Sequence, residues 1–167
     1  MTPALHQEVN DDSVQRLLHQ LRKRAEQQAV VAQLGQLAVR EDDPTTVLAE
    51  VTRSLVDAMH VDMASVVEVM LDGRMIIRAG TGWPEPQVNQ VVSDENRRSQ
   101  ADYVLAAGKP VIVENMAKER RFKPSSALLR TGVLSSLGVV IPGDEQAYGA
   151  LIVYSRRRLT FSPDDID

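Results

Sequence analysis

The sequence predicts an α+β fold: an antiparallel sheet with helices on one side. Three observations carry this. Two apolar runs, Gly132 to Pro142 and Tyr148 to Ser155, meet across the turn-rich Pro142-Gly143-Asp144-Glu145 and read as an antiparallel hairpin. A second pair, Val61 to Leu71 and Arg74 to Ala79, flanks Asp72-Gly73, the strongest short hairpin signal. Helical periodicity lies mainly outside these hairpins. Direct hairpins therefore dominate, and the long crossovers that a parallel sheet needs are few.

Taken in order, Met1 to Asp12 is polar and mixed and reads as a disordered end. From Ser13 the residues Val14, Leu17, Leu18, Leu21, Ala25, Ala29 and Ala32 recur at helical spacing, with Ser13 or Asp12 as N-cap and a bend or break near Gly35. Arg22-Lys23-Arg24 and Gln27-Gln28 are too polar for burial on all sides. Such a helix lies either along a partner helix or on its own domain. Asp43-Pro44 opens a second helix with Val47, Leu48, Val51, Leu55, Val56 and Met59 on one stripe, ending near His60.

Val61 to Leu71 has the length and β-branched content of a buried strand, and Gly80-Thr81-Gly82-Trp83-Pro84 follows its partner as a glycine-rich loop with the one tryptophan. Val88 to Val92 offers a short further strand. Ser99 to Ala107 is helical and stops at Gly108, a C′ glycine. Val111-Ile112-Val113 is a brief strand, Glu114 to Lys123 an irregular charged loop, and Pro124 to Thr131 a short helix ending at Gly132. After the terminal hairpin, Ser162 suits an N-cap, Pro163 the first helical position, and Asp165 the carboxylate of a capping box. The chain stops at Asp167, inside that first turn, which reads as a segment cut from something longer.

At 167 residues the chain holds one domain with a substantial core and one extra element. No apolar run approaches membrane-spanning length, and the acidic start lacks the basic and hydrophobic parts of an export signal. A net charge of −4 argues against nucleic acid, which calls for a basic excess. There is no cysteine, so disulfides, thiolate nucleophiles and thioether-linked cofactors are excluded. A cytoplasmic setting fits.

The phrases SQADYVLAAGKPVIVENM (Ser99 to Met116), ERRF (Glu119 to Phe122), GVLSSLGVVI (Gly132 to Ile141), YGALIVYS and FSPDD stand in an order and spacing that together resemble the GAF domain family of cytoplasmic sensory modules. The likeness covers Val30 to Asp165, and GTGWP at Gly80 to Pro84 is similar to the variant in bacterial sensor histidine kinases and in proteins with GGDEF or EAL output domains. The resemblance implies a profilin-like, six-stranded antiparallel sheet with the last long strand beside the first. It implies N- and C-terminal helices on one face and, on the other, a small-molecule pocket roofed by the middle helices and loops. Dimerisation through the terminal helices, which continue into an output domain, is implied as well. On this reading 1–12 is a disordered segment, 13–29 a linker or dimerisation helix, and 30–167 a GAF domain truncated in its C-terminal helix.

The subclasses of that family are tested residue by residue. Bilin attachment and methionine-sulfoxide reduction both use cysteine, which is absent. Cyclic-nucleotide binders carry a dispersed Asn, Lys, Phe, Asp, Glu signature. Here Asn115, Lys118 and Phe122 occur, but no Asp-Glu pair follows before the next helix. A haem ligand is not offered: His6 and His19 precede the domain, and His60 sits at a helix-strand junction, where a surface or cap histidine is ordinary. The three histidines fit no metal spacing.

The remaining candidates for ligand contact are Trp83, Tyr103, Phe122 and Ser135, with Asn115, Glu119 and Arg121 as polar partners. Tyr103 and Phe122 serve equally as plugs of a small core, and Glu119 and Arg121 equally as a pair that holds the loop shut. Arg97, with Arg98, lies beside the positive end of the Ser99 helix, where an anionic ligand is attracted. Arg156-Arg157-Arg158 reads as a solvated connector, because no glycine cradle or interleaved aromatic accompanies it.

No catalytic set emerges, and no metal or other cofactor is called for. The function expected is a non-enzymatic sensory or regulatory module of a bacterial signal-transduction protein, such as a two-component system. It binds an unidentified small molecule, dimerises through its terminal helices, and controls a histidine kinase or a cyclic-di-GMP cyclase or phosphodiesterase. The rival is a purely structural dimerisation spacer without a ligand. Neither nucleic acid nor, in this segment, a membrane is a partner.

Overall fold

In a computed structural model, described for residues 4–41, 43–84, 86–93, 99–162 and 165–166, the chain divides into two units, Met1–Asp42 and Asp43–Asp167.

The first unit is one helix, α1 (Ala4–Arg40). It begins ahead of Ser13 and runs through Gly35 without a break, so the residues from Ala4 to Asp12 are helical rather than frayed. Residues 30–40, expected to open the domain, continue this helix. No glycine or proline stands between Ala4 and Gly35, and one interior glycine costs only about 1 kcal/mol, too little to interrupt a run of this length. Within the unit, Val14, Leu17, Leu18, Leu21 and Val31 are exposed.

The second unit opens with α2 (Pro44–Ala58). Asp43 caps it by accepting a hydrogen bond from the Thr45 amide, and Pro44 needs no donor at the first helical position. The strands are β1 (Met63–Val69), β2 (Met75–Thr81), β3 (Val91–Ser93), β4 (Val111–Val113), β5 (Ser135–Ile141) and β6 (Gly149–Ser155). Between them lie α3 (Gln100–Ala107), a 3-10 turn (Met116–Lys118) and α4 (Ser126–Arg130). The six strands form one sheet in the order β3-β2-β1-β6-β5-β4, every pairing antiparallel. β6 thus lies beside β1, with Met63 opposite Tyr154 and Val67 opposite Ala150. Both hairpins form as expected.

Strand alternation splits the core between two faces. On one face Ala64, Leu137 and Val153 pack with Leu55 and Val56 of α2, with its C-cap Met59 and with Phe161. Thr52, wholly buried in α2, hydrogen-bonds the Thr81 hydroxyl at 2.8 Å and ties the helix to the end of β2. On the other face Met63, Val67, Ile77, Ile152 and Tyr154 pack with Ala101 and Val104 of α3, with Met116 of the 3-10 turn, with Phe122 of the loop after it and with Leu128 of α4. The candidate site is on this second face. At the C-terminal end, the Ser162 amide donates to Asp165 Oδ2 at 2.7 Å, the capping contact foreseen from FSPDD. No helix among the described residues is long and apolar enough to cross a membrane.

Candidate functional site

The loop after β2 is built to hold one indole. Gly82 takes φ +80, and a Cβ there would stand 2.1 Å from the Asp62 carbonyl oxygen, so only glycine fits. The chain then turns Trp83 under the sheet. Its Nε1 donates to the Ala64 carbonyl at 3.1 Å, and its ring meets the Tyr154 ring edge-on, centroids 5.3 Å apart. Tyr154 is buried, and burial pushes its phenol up to about 12 despite the nearby Ser65 hydroxyl. The two oxygens are 3.4 Å apart, a long and weak hydrogen bond.

Helix α3 forms the opposite wall. A complete capping box starts it: the Asp102 amide donates to Ser99 Oγ, and the Ser99 amide donates to Asp102 Oδ2 at 2.8 Å. Gly108, at φ +61, ends it. The helix lies close to β5 because Gly138 has no side chain, since a Cβ there would approach Val104 Cγ2 to 2.6 Å. That approach brings Gln100 to the sheet, where its Nε2 donates to Ser136 Oγ at 2.8 Å.

Two cavities flank α3. The larger, about 900 Å³, is lined by Ser65, Trp83, Gln87, Gln100, Leu128 and Tyr154 among others. The smaller, about 660 Å³, is lined by Met75, Asp102, Tyr103, Arg120, Arg121 and Phe122 among others. Ser99 and Lys123 line both. Both volumes lie within the range of small-molecule sites.

The residues singled out from the sequence do not converge on one cavity. Trp83 lines the larger; Tyr103, Arg121 and Phe122 line the smaller. Ser135 is on the other face of the sheet, in phase with Leu137. Its hydroxyl donates to the Arg157 carbonyl at 2.7 Å and accepts from the Leu159 amide, pinning the chain that leaves β6. Asn115 caps the 3-10 turn by accepting from the Ala117 amide. Arg97, with Arg98, lies outside the described residues.

Arg121 is committed to its own loop. It pairs with Glu119 at 2.6 Å, donates to the Ile112 carbonyl at 2.7 Å, and sits 5.5 Å above the Tyr103 ring. The Arg121 side chain, followed by burial in opposition and by the Arg121 and Arg120 amides, holds the Glu119 carboxyl below its ordinary range. The two residues therefore form the clasp weighed from the sequence. Tyr103 packs on Phe122, centroids 6.2 Å apart, and Phe122 is buried in the core.

The Arg156-Arg157-Arg158 run is partly a clasp too. Arg156 donates to the Thr131 carbonyl, and its amide donates to Asp62, while Arg157 donates to the His60 carbonyl. Among the described residues no group of three His, Asp or Glu is placed to hold a metal ion.

Sequence reasoning missed Ser65, Gln100 and Tyr154. Each is a polar group at an inward position of a regular element: Ser65 between Met63 and Val67, Tyr154 two residues after Ile152, and Gln100 one helical turn before Val104. A polar residue in phase with the core was the available signal.

Residues 43–167 match the model of the GAF domain. No curated protein matches. Among solved structures, the GAF domain of an Acinetobacter phosphoenolpyruvate-protein phosphotransferase is 22% identical, with a TM-score of 0.70, covering 83% of this chain and 82% of its own. The free methionine-R-sulfoxide reductase of Neisseria meningitidis, in complex with its substrate, is 19% identical with a TM-score of 0.66, covering 82% and 77%. A domain of a putative two-component sensor histidine kinase from Sinorhizobium meliloti is 17% identical with a TM-score of 0.56, covering 75% and 82%. At these identities the likenesses speak for the fold, and the match over most of the chain speaks for the family. The chain belongs to the GAF domain family.

Proposed function

We propose that residues 43–167 are a sensory module of a bacterial, cytoplasmic signal-transduction protein, and that a small molecule bound in the larger cavity sets its state. The observation that carries this is the cavity itself. It has a sheet floor, an indole wall and a few inward polar groups, the composition that ligand sites favour. The reductase from Neisseria, which has a similar fold, was solved with its substrate bound, and this supports ligand capture by such an architecture. That protein is an enzyme. The regulatory, non-catalytic reading of this chain rests on its own residues: it has no cysteine, and among the described residues no histidine lines either cavity.

The route to an output runs through one loop. Trp83 faces the cavity, and Thr81, two residues earlier, is bonded to Thr52 of α2 on the other face. A ligand that favours one position of Trp83 biases the packing of α2 by population shift. The exposed Val14, Leu17, Leu18 and Leu21 of α1 support a homodimer through terminal helices. The likeness to a sensor kinase domain supports a kinase as the output, with a cyclic-di-GMP cyclase or phosphodiesterase as the other candidate.

The rival reading, a dimerisation spacer without a ligand, is favoured by that same exposed stripe and separates cleanly. A metabolite library screened by thermal shift is expected to yield at least one saturable rise in Tm that disappears in Trp83→Ala. A protein that sediments as a dimer and responds to no metabolite refutes the sensor and leaves the spacer.

A further inference from the structure

Gln100 is the odd residue of the larger cavity. It lies on the buried side of α3 at 5% exposure, in phase with Val104, where an apolar side chain would pack. One end of its amide is tied to Ser136 Oγ at 2.8 Å, and Oε1 has no hydrogen-bond partner among the described residues. Turning the amide over changes which atom is tied and leaves the other unmatched. A buried polar atom without a partner costs stability, and the cost is recovered when a ligand supplies the missing bond.

The other inward groups of this cavity are also neutral. Among the described residues, the Ser65 and Tyr154 hydroxyls are held by their mutual 3.4 Å contact alone, which leaves both able to engage a carbonyl. Lys123, exposed, is the one charged side chain among the described residues of the lining. Among the described residues, no charged side chain other than exposed Lys123 is in the lining to offset an ionised group taken out of water there.

We propose that the cavity recognises an uncharged amide or lactam edge, its N–H donating to Gln100 and its carbonyl accepting from the Ser65–Tyr154 hydroxyl pair. This rests on the small-molecule reading above and names the ligand class for it. Oε1 is closed off in the present arrangement, so Gln100 turns into the cavity it lines when the ligand enters. The flat body of the ligand lies against Trp83, the single tryptophan of the chain.

The test compares neutral and ionised twins while following Trp83 emission. Nicotinamide is set against nicotinate, and benzamide against benzoate. The amides are expected to perturb the emission saturably and to bind roughly tenfold or more tightly than their carboxylates. In the variant Gln100→Met with Ser136→Ala, which removes both ends of the internal bond at similar volume, amide binding is lost while Tm holds or rises. Gln100→Leu alone checks that loss in a second background. Carboxylates that bind as well as the amides overturn the amide class and leave a small-molecule cavity standing. Unchanged amide binding in the double variant, with a Tm several degrees lower, makes Gln100 a structural residue and also overturns the proposal. No response to any of the four probes, in emission or in Tm, counts against the proposal and the sensor reading together.

Discussion

Arg121 shows how a single side chain settles between ligand contact and architecture. A guanidinium offers five donors, and here they are directed to Glu119 and to the Ile112 carbonyl, while its plane covers Tyr103. Little remains for an anion. The charge pair itself is half-exposed on the arginine side and adds little stability, but it fixes the loop that carries Phe122. Because Arg121 and two backbone amides favour the ionised form, the Glu119 carboxyl titrates below its ordinary 4.5. Its contribution is complete above that value and fades as the pH falls through the depressed one. An NMR titration of the Arg121 Nε–H resonance is expected to place the midpoint below 4.5. A midpoint at or above it would mean that the clasp is open in solution.

Among the elements, α3 has the most exacting placement. Its ends are specified locally, by the Ser99 capping box and by Gly108, but its distance from the sheet is set by a residue on another element. Gly138 on β5 gives Val104 the room it occupies, and through that contact brings Gln100 within reach of Ser136. Gly138→Ala is expected to cost about 1–3 kcal/mol by overpacking. It also displaces α3 outward, widening both cavities. Urea denaturation reads the first effect, and a crystal structure of the variant reads the second. A variant as stable as the parent would show that α3 sits less tightly on β5 than described.

Across the whole molecule, the contacts of the chain separate the helical unit Met1–Asp42 from the sheet unit Asp43–Asp167. The first has little to bury within itself: Leu17 and Leu21 are each more than half exposed. Such side chains gain about 1.5–3 kcal/mol when fully buried, which is the stabilisation that the proposed dimer would draw on. Leu17→Glu with Leu21→Glu is expected to weaken self-association by roughly tenfold or more, without moving the thermal transition of the sheet unit. Analytical ultracentrifugation and calorimetry on the same samples check both halves. A dimer that survives both charges would place its interface elsewhere.

The strands, the hairpins and the caps were legible in the sequence because each depends on neighbours a few residues away. Asp72-Gly73 makes its turn, Asp43 caps α2, and Gly108 accepts a left-handed backbone, whatever lies across the domain. The phrases shared with the family extended this to strand order. The site was less legible. Of the residues read as one set of ligand contacts, Tyr103, Arg121 and Phe122 line one cavity and Trp83 the other, Ser135 is turned to the far face, and Ser65, Gln100 and Tyr154 went unmarked. Sequence alone determined the strands, the helices of the sheet unit and the absence of any thiol, while the full extent of α1, from Ala4 through Gly35 to Arg40, was not read from it. Tertiary structure alone decided which polar side chains share a cavity. A shift of one residue along a strand reverses the face, and the partners that meet across α3 and the sheet, Gln100 with Ser136 and Ser65 with Tyr154, stand far apart in the chain.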